Sequence, residues 1–146
     1  MNVDITIRTV ISRPVAVVAE YAADPVNAPE WYANIKAVTP HAPGTPLGVG
    51  ARMDFVAHFL GRRLSYTYEI TEHDPGRRLV MQTSDGPFPM RTTYTWSAEG
   101  DATVMTLRNT GTPSGFGAIL TPFMRLAMKA ATTKDLANLK RILEQR

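Results

Sequence analysis

Apolar and polar residues alternate with period two at the start of the chain. Val3, Ile5, Ile7 and Ile11 fall on one side; Asp4, Thr6 and Arg8 fall on the other. This is the pattern of a strand with one buried face. The period then lengthens. After Ser12-Arg13-Pro14, the residues Val15, Val18, Ala19 and Ala22 form a helical stripe, with Ser12 expected as the N-cap and Pro14 near the first helical position. Asp24-Pro25 should end this helix and cap a second short one, which carries Trp31 and Tyr32 towards its end.

Period two returns after Ile35–His41, a further strand candidate, and the turn-rich stretch Pro43-Gly44-Thr45-Pro46. Five strands follow. Their apolar sides are Met53, Phe55, Ala57 and Phe59; Leu64, Tyr66, Tyr68 and Ile70; Leu79, Met81 and Thr83; Met90, Thr92, Tyr94 and Trp96; and Thr103, Met105 and Leu107. Gly61-Arg62, Asp74-Pro75-Gly76, Asp85-Gly86-Pro87 and Glu99-Gly100-Asp101 supply the turns between them. The spacing predicts an antiparallel meander with one wet face and one strongly aromatic face.

The last stretch, Ser114–Arg146, opens on Ser114-Gly115-Phe116-Gly117 and then runs without Gly to the end. It predicts a long helix that covers the sheet. Its apolar positions form two stripes. Phe116, Ile119, Leu120, Phe123 and Ala127 share one; Leu136, Leu139, Ile142 and Leu143 share another, rotated on the wheel. Pro122 and Thr132-Thr133 are where a bend or a fresh start could reconcile them, and the sequence leaves open whether the helix kinks at either. Phe116–Met128 is then expected to close a cavity against the sheet, and Leu136–Leu143 to anchor the helix. Gly115-Phe116-Gly117 is the expected gate.

Composition narrows the classes. The 146 residues form one domain, 1–146, and contain no Cys, which excludes a disulfide framework, a thiol nucleophile and Cys-ligated metal. No apolar run approaches the ~18 residues of a membrane span, and the N-terminus lacks a signal-peptide pattern, so a cytoplasmic protein is expected. The net charge is +3. Its excess lies near the C-terminus, in Arg108, Arg125, Lys129, Lys134, Lys140, Arg141 and Arg146. These cations are spaced out without stacking aromatics, so a solvated helix face is favoured over a nucleic-acid or lipid surface, and no nucleic-acid partner is expected.

Catalytic and metal motifs are missing from the expected pattern. His41, His58 and His73 have no ligand spacing, and no metal or cofactor is implied. Asp54 and His58 lie about 13 Å apart along an outward strand face, too far to pair. The inward parity of the meander offers Tyr66, Tyr68, Tyr94, Trp96, Thr83 and Thr92, with no charged side chain, which favours binding over proton transfer.

The order of strand, two short helices, meander and long helix resembles the helix-grip fold of the START-like (SRPBCC) superfamily. The opening Ile11-Ser12-Arg13-Pro14-Val15 with Asp24-Pro25 and Glu30-Trp31 is similar to that of its polyketide cyclase/dehydrase-like group. So are the segments Glu69–Leu79, Asp101–Leu107 and Asp135–Lys140. The resemblance implies an α+β fold with a curved antiparallel sheet around the C-terminal helix, and a deep apolar cavity between them. The expected ligand is a small hydrophobic or aromatic molecule, lipid- or polyketide-like. The expected lining is Trp31 from the second helix, Phe55 and Phe59, Tyr66 and Tyr68, Met81, Met90, Tyr94 and Trp96 from the sheet, and Phe116, Leu120, Phe123 and Met124 from the C-terminal stretch. An enzyme of the cyclase or dehydratase type in the same cavity is the alternative. A homodimer is compatible with the sequence.

Overall fold

The computed structural model describes residues 3–44, 46–59, 61–86, 89–112 and 121–146. Strand β1 (Val3–Ile11) is followed by α1 (Val15–Ala23), a 3-10 turn (Pro25–Asn27) and α2 (Ala28–Trp31). Six strands follow: β2 (Ile35–Pro40), β3 (Arg52–Phe59), β4 (Arg62–Asp74), β5 (Arg78–Asp85), β6 (Met90–Glu99) and β7 (Ala102–Gly111). Helix α3 (Thr121–Glu144) closes the chain. The strands form one curled antiparallel sheet in the order β1-β7-β6-β5-β4-β3-β2. The meander therefore runs edge to edge. The two short helices carry the chain from one edge, β1, to the other, β2.

Local chemistry accounts for most boundaries. The Asp24 carboxylate accepts the Val26 N–H at 3.1 Å, with Pro25 in the first position after it, as expected of this pair. Gly76 and Gly100 adopt positive φ (79° and 61°), which fits them to the tight turns before β5 and β7. Ser12 is not the cap of α1. Pro14 occupies that place, with no side-chain cap, and the Ser12 N–H instead donates to the Glu144 carboxylate at 2.8 Å. Helix α1 therefore begins two residues later than a Ser12 cap would place it.

Helix α3 is about 36 Å long at ~1.5 Å per residue and continues through Thr132-Thr133 without a fresh start. Thr132 is buried, and the Thr133 hydroxyl donates back to the Lys129 carbonyl at 2.8 Å. The β-branched pair is thus accommodated inside the helix rather than breaking it. The C-terminal half lies against β1. Leu136, Leu139 and Leu143 are buried with Ile142 packed beside them. Lys140 donates to the Val10 carbonyl at 2.6 Å, and the Arg146 guanidinium sits 4.6 Å from the Tyr21 ring centre.

Leu139 is fully buried at the centre of this anchor. Leu139→Ala is expected to cost about 2–5 kcal/mol, through lost transfer energy plus an unfilled cavity. Urea unfolding monitored by circular dichroism checks this. A loss below about 1 kcal/mol would mean that the anchor lies elsewhere.

Candidate functional site

The sheet's alternation turns Phe55, Tyr68, Met81, Tyr94 and Leu107 to the side facing α3. All are buried. Between this face and the helix lies a cavity of about 480 Å³. Phe55, Phe59, Tyr66, Tyr68, Met81, Met90 and Tyr94 line it from the sheet, and Phe123 and Met124 from the helix. Its size lies within the range of small-molecule sites.

Aromatic packing fixes one wall. Phe55 stacks on Tyr66 with ring centres 5.3 Å apart and planes 6° apart, and both rings meet Tyr68 edge-on. Gly86 makes this wall possible, because a Cβ there would come 2.9 Å from the Tyr66 Cβ. A turn is enough to explain this glycine in the sequence; its close approach to Tyr66 is a tertiary requirement.

The polar groups fall into two sets. In one, the Thr92 hydroxyl donates to Asn109 Oδ1 at 2.7 Å, so the Tyr68 hydroxyl, 2.7 Å from Thr92, must be the donor in that pair. In the other, the Tyr32 and Tyr94 hydroxyls meet at 2.5 Å, beside the Asp135 carboxylate. Asp135 Oδ1 accepts the Ala33 N–H at 2.9 Å. The carboxylate has no cationic partner among the described residues. The Tyr66 hydroxyl has no hydrogen-bond partner among them either.

Burial sets the protonation of this site. It raises the Asp135 carboxyl to about 6, against the opposing Ala33 hydrogen bond and the nearby Lys134 charge. It raises the Tyr68 phenol to about 12, and Tyr32, Tyr66 and Tyr94 also lie well above the ordinary phenol range, chiefly through burial. The tyrosines are therefore neutral hydrogen-bonding groups near neutral pH. Asp135 is the one group among them that titrates close to it.

Several expectations change. Trp31 is 1% exposed and lies in the core against Tyr32 and Tyr94, with ring centres 4.0 and 5.9 Å away; it does not line this cavity. Trp96 lines a different hollow. Phe116, Leu120 and the Gly115-Phe116-Gly117 segment lie outside the described residues. The expectation of no charged side chain on the inward parity of the meander is corrected by Arg62, which lines the cavity from the first position of β4. Asp135 enters from α3, outside the meander. Arg62 has the inward parity of Leu64 and Tyr66, but Gly61-Arg62 reads as a turn in the sequence. Asp135 had a signal as well, since it follows Met124, Met128 and Thr132 at helical spacing. Tyr32 had none: α2 ends there in an extended conformation (φ −81°, ψ 123°), which sends adjacent aromatics to different places.

The hollow that Trp96 lines is larger, about 1000 Å³, and lies between α1, residues 40–53 and the turn 73–76. Many of its walls are exposed, including Glu20, His41, Val49 and Arg52. Water screens polar contacts there, whereas the buried tyrosines and Asp135 act in a low-dielectric setting. The smaller cavity is the stronger site candidate. Asp54 does not join it. On the outer face its carboxylate takes hydrogen bonds from Thr67 at 2.6 Å and pairs with His41 at 2.7 Å, which hold its carboxyl below the usual range.

Solved structures share this architecture at low identity. The TTHA0849 protein of Thermus thermophilus superposes with a TM-score of 0.83 at 20% identity, over 96% of this chain and 96% of that one. Zhui aromatase/cyclase from Streptomyces sp. R1128 gives 0.82 at 13%, over 100% and 96%. A START superfamily protein from Mycobacterium smegmatis gives 0.70 at 14%, over 99% and 96%. No curated protein sequence matches significantly. A family model described as polyketide cyclase / dehydrase and lipid transport matches residues 2–144, and the chain belongs to that family.

Proposed function

We propose that the protein binds a small hydrophobic or aromatic molecule in the cavity between its sheet and α3, with Phe55, Phe59, Met81, Met90, Phe123 and Met124 giving apolar area. The carrying observation is a cavity walled by apolar and aromatic side chains with a few convergent polar groups. Tyr66, whose hydroxyl lacks a partner among the described residues, and the Tyr32–Tyr94–Asp135 cluster orient a polar end of the ligand. Family membership and the aromatase/cyclase neighbour support a lipid- or polyketide-like molecule. Among the described residues no helix is long and apolar enough to cross a membrane. A cytoplasmic setting is a separate part of this proposal.

Native mass spectrometry of freshly purified protein tests the binding, with a co-purifying small molecule as the expected result. For that molecule, Tyr66→Phe is expected to weaken affinity by about 2- to 10-fold, the worth of one hydrogen bond. Tyr94→Ala should weaken it by at least as much. Unchanged affinity in both variants removes the tyrosines from the site.

One observation favours a cyclase- or dehydratase-type enzyme as the second reading. A carboxyl that titrates near 6 beside two phenols is suited to general base work near neutral pH. In that case Asp135→Asn lowers turnover of a poly-β-carbonyl substrate by far more than it weakens binding. Retained turnover excludes Asp135 as the base.

A further inference from the structure

Helix α3 carries an apolar stripe on its solvent side as well as on its buried side. Phe123 is 59% exposed and Leu126 is 65% exposed, two of the four large hydrophobic residues in the described structure that stand out into water. With exposed Ala130 they fall within about 60° on the helical wheel, roughly opposite Met128 and Asp135. Neither fold nor cavity requires Leu126 to be apolar. Phe123 stands at the rim, since it lines the cavity while more than half exposed.

Charge surrounds this stripe. Arg125, Lys129 and Lys134 are exposed on the same part of the helix. The strand ends at this end of the sheet add Arg62 and Arg63 from β4, Arg91 from β6 and Arg108 from β7, all exposed. The carboxylates on these strand ends are Asp4 and Asp85; Asp4 and Arg108 offset one another through contacts at 3.0 and 2.7 Å, so the excess charge comes from Arg62, Arg63 and Arg91 with the helix cations. The opposite end is mixed: Glu72, Asp74, Glu99 and Asp101 lie there among Arg77 and Arg78.

We infer that this end of the molecule docks on an anionic lipid bilayer, with Phe123 and Leu126 entering the headgroup–acyl boundary and the surrounding cations facing lipid phosphates. Apolar residues flanked by basic ones on one exposed helix face have the chemistry of interfacial binding. A nucleic acid would match the charge but gives no use for Leu126. The inference rests on the hydrophobic-ligand reading in one respect: docking would set the cavity rim against the phase where such a ligand dissolves.

Flotation with phosphatidylcholine vesicles, with and without phosphatidylglycerol, tests it. The protein should float with the anionic vesicles at low salt and leave them at high salt. Leu126→Glu should lower partitioning at least ~10-fold, and Arg125→Gln and Lys129→Gln about 5-fold each. Binding of the neutral probe N-phenyl-1-naphthylamine, measured in parallel, should survive in Leu126→Glu, because Leu126 does not line the cavity. Probe binding without flotation overturns the docking proposal and leaves the ligand reading standing; flotation without probe binding does the reverse. Flotation that Leu126→Glu leaves unchanged also overturns it. So does a dimer that Leu126→Glu dissociates in a protein that ignores vesicles, which would give the face to a second copy. Duplex DNA that displaces vesicles from parent and variant alike gives it to nucleic acid.

Discussion

Asp135→Asn is expected to be more stable than the parent protein at pH 8, by about 1–3 kcal/mol. An unfolded Asp titrates near 3.9, and burial lifts this one to about 6 in the folded protein. Between those pH values the folded state keeps a proton that the unfolded state has lost. Stability therefore falls as pH rises through that window, and the full penalty applies above it. Two pKa units at ~1.4 kcal/mol each set the upper bound near 3 kcal/mol. Asn has the same shape and no charge, and its Oδ1 can still accept the Ala33 N–H. Urea unfolding at pH 4, 6 and 8 should give nearly equal stabilities at pH 4 and a gap that widens to pH 8. A less stable variant at pH 8 would mean that the carboxylate is compensated in the fold. A buried acid that costs stability is consistent with retention for binding or chemistry, because an apolar or amide side chain would serve the fold better.

Trp31→Ala should lose about 3–5 kcal/mol, the range for deleting a buried aromatic. Trp31 is 1% exposed and packs against Tyr32 and Tyr94, the two tyrosines that meet at the cavity. Removing it takes away the wall behind their shared hydrogen bond, so ligand affinity should fall along with stability. Trp31→Phe is the control. The indole N–H is buried without a partner among the described residues, so replacing the ring by Phe deletes an unsatisfied donor along with some volume. The Phe variant should lose clearly less than the Ala variant, by urea unfolding. Equal losses would assign Trp31 a role beyond packing.

The different uses of neighbouring residues show where sequence patterning stops. Trp31 and Tyr32 are adjacent aromatics after a short helix. One fills the core and the other presents its hydroxyl to the cavity, because the backbone leaves the helix between them. Alternation does place Phe55, Tyr68, Tyr94 and Trp96 on one face, yet Trp96 serves the other hollow, since position along the strand matters as much as parity. On α3 the two stripes left open a bend at Pro122 or at Thr132-Thr133. The helix runs unbroken through Thr132-Thr133, because its first half overhangs the cavity while its second packs on β1.

Period-two alternation, Gly- and Pro-bearing turns and the Asp24-Pro25 cap are local features. They determined the strands, the hairpin connections and the sheet's apolar face from sequence alone, because strand parity and turn geometry depend on residues a few places apart. Family resemblance carried the helix-grip arrangement. The cavity's polar chemistry was decided only by tertiary structure. Asp135 meets Tyr32 and Tyr94 across a sequence gap that no local pattern spans, and its raised carboxyl depends on burial that exists only once α3 lies over the sheet.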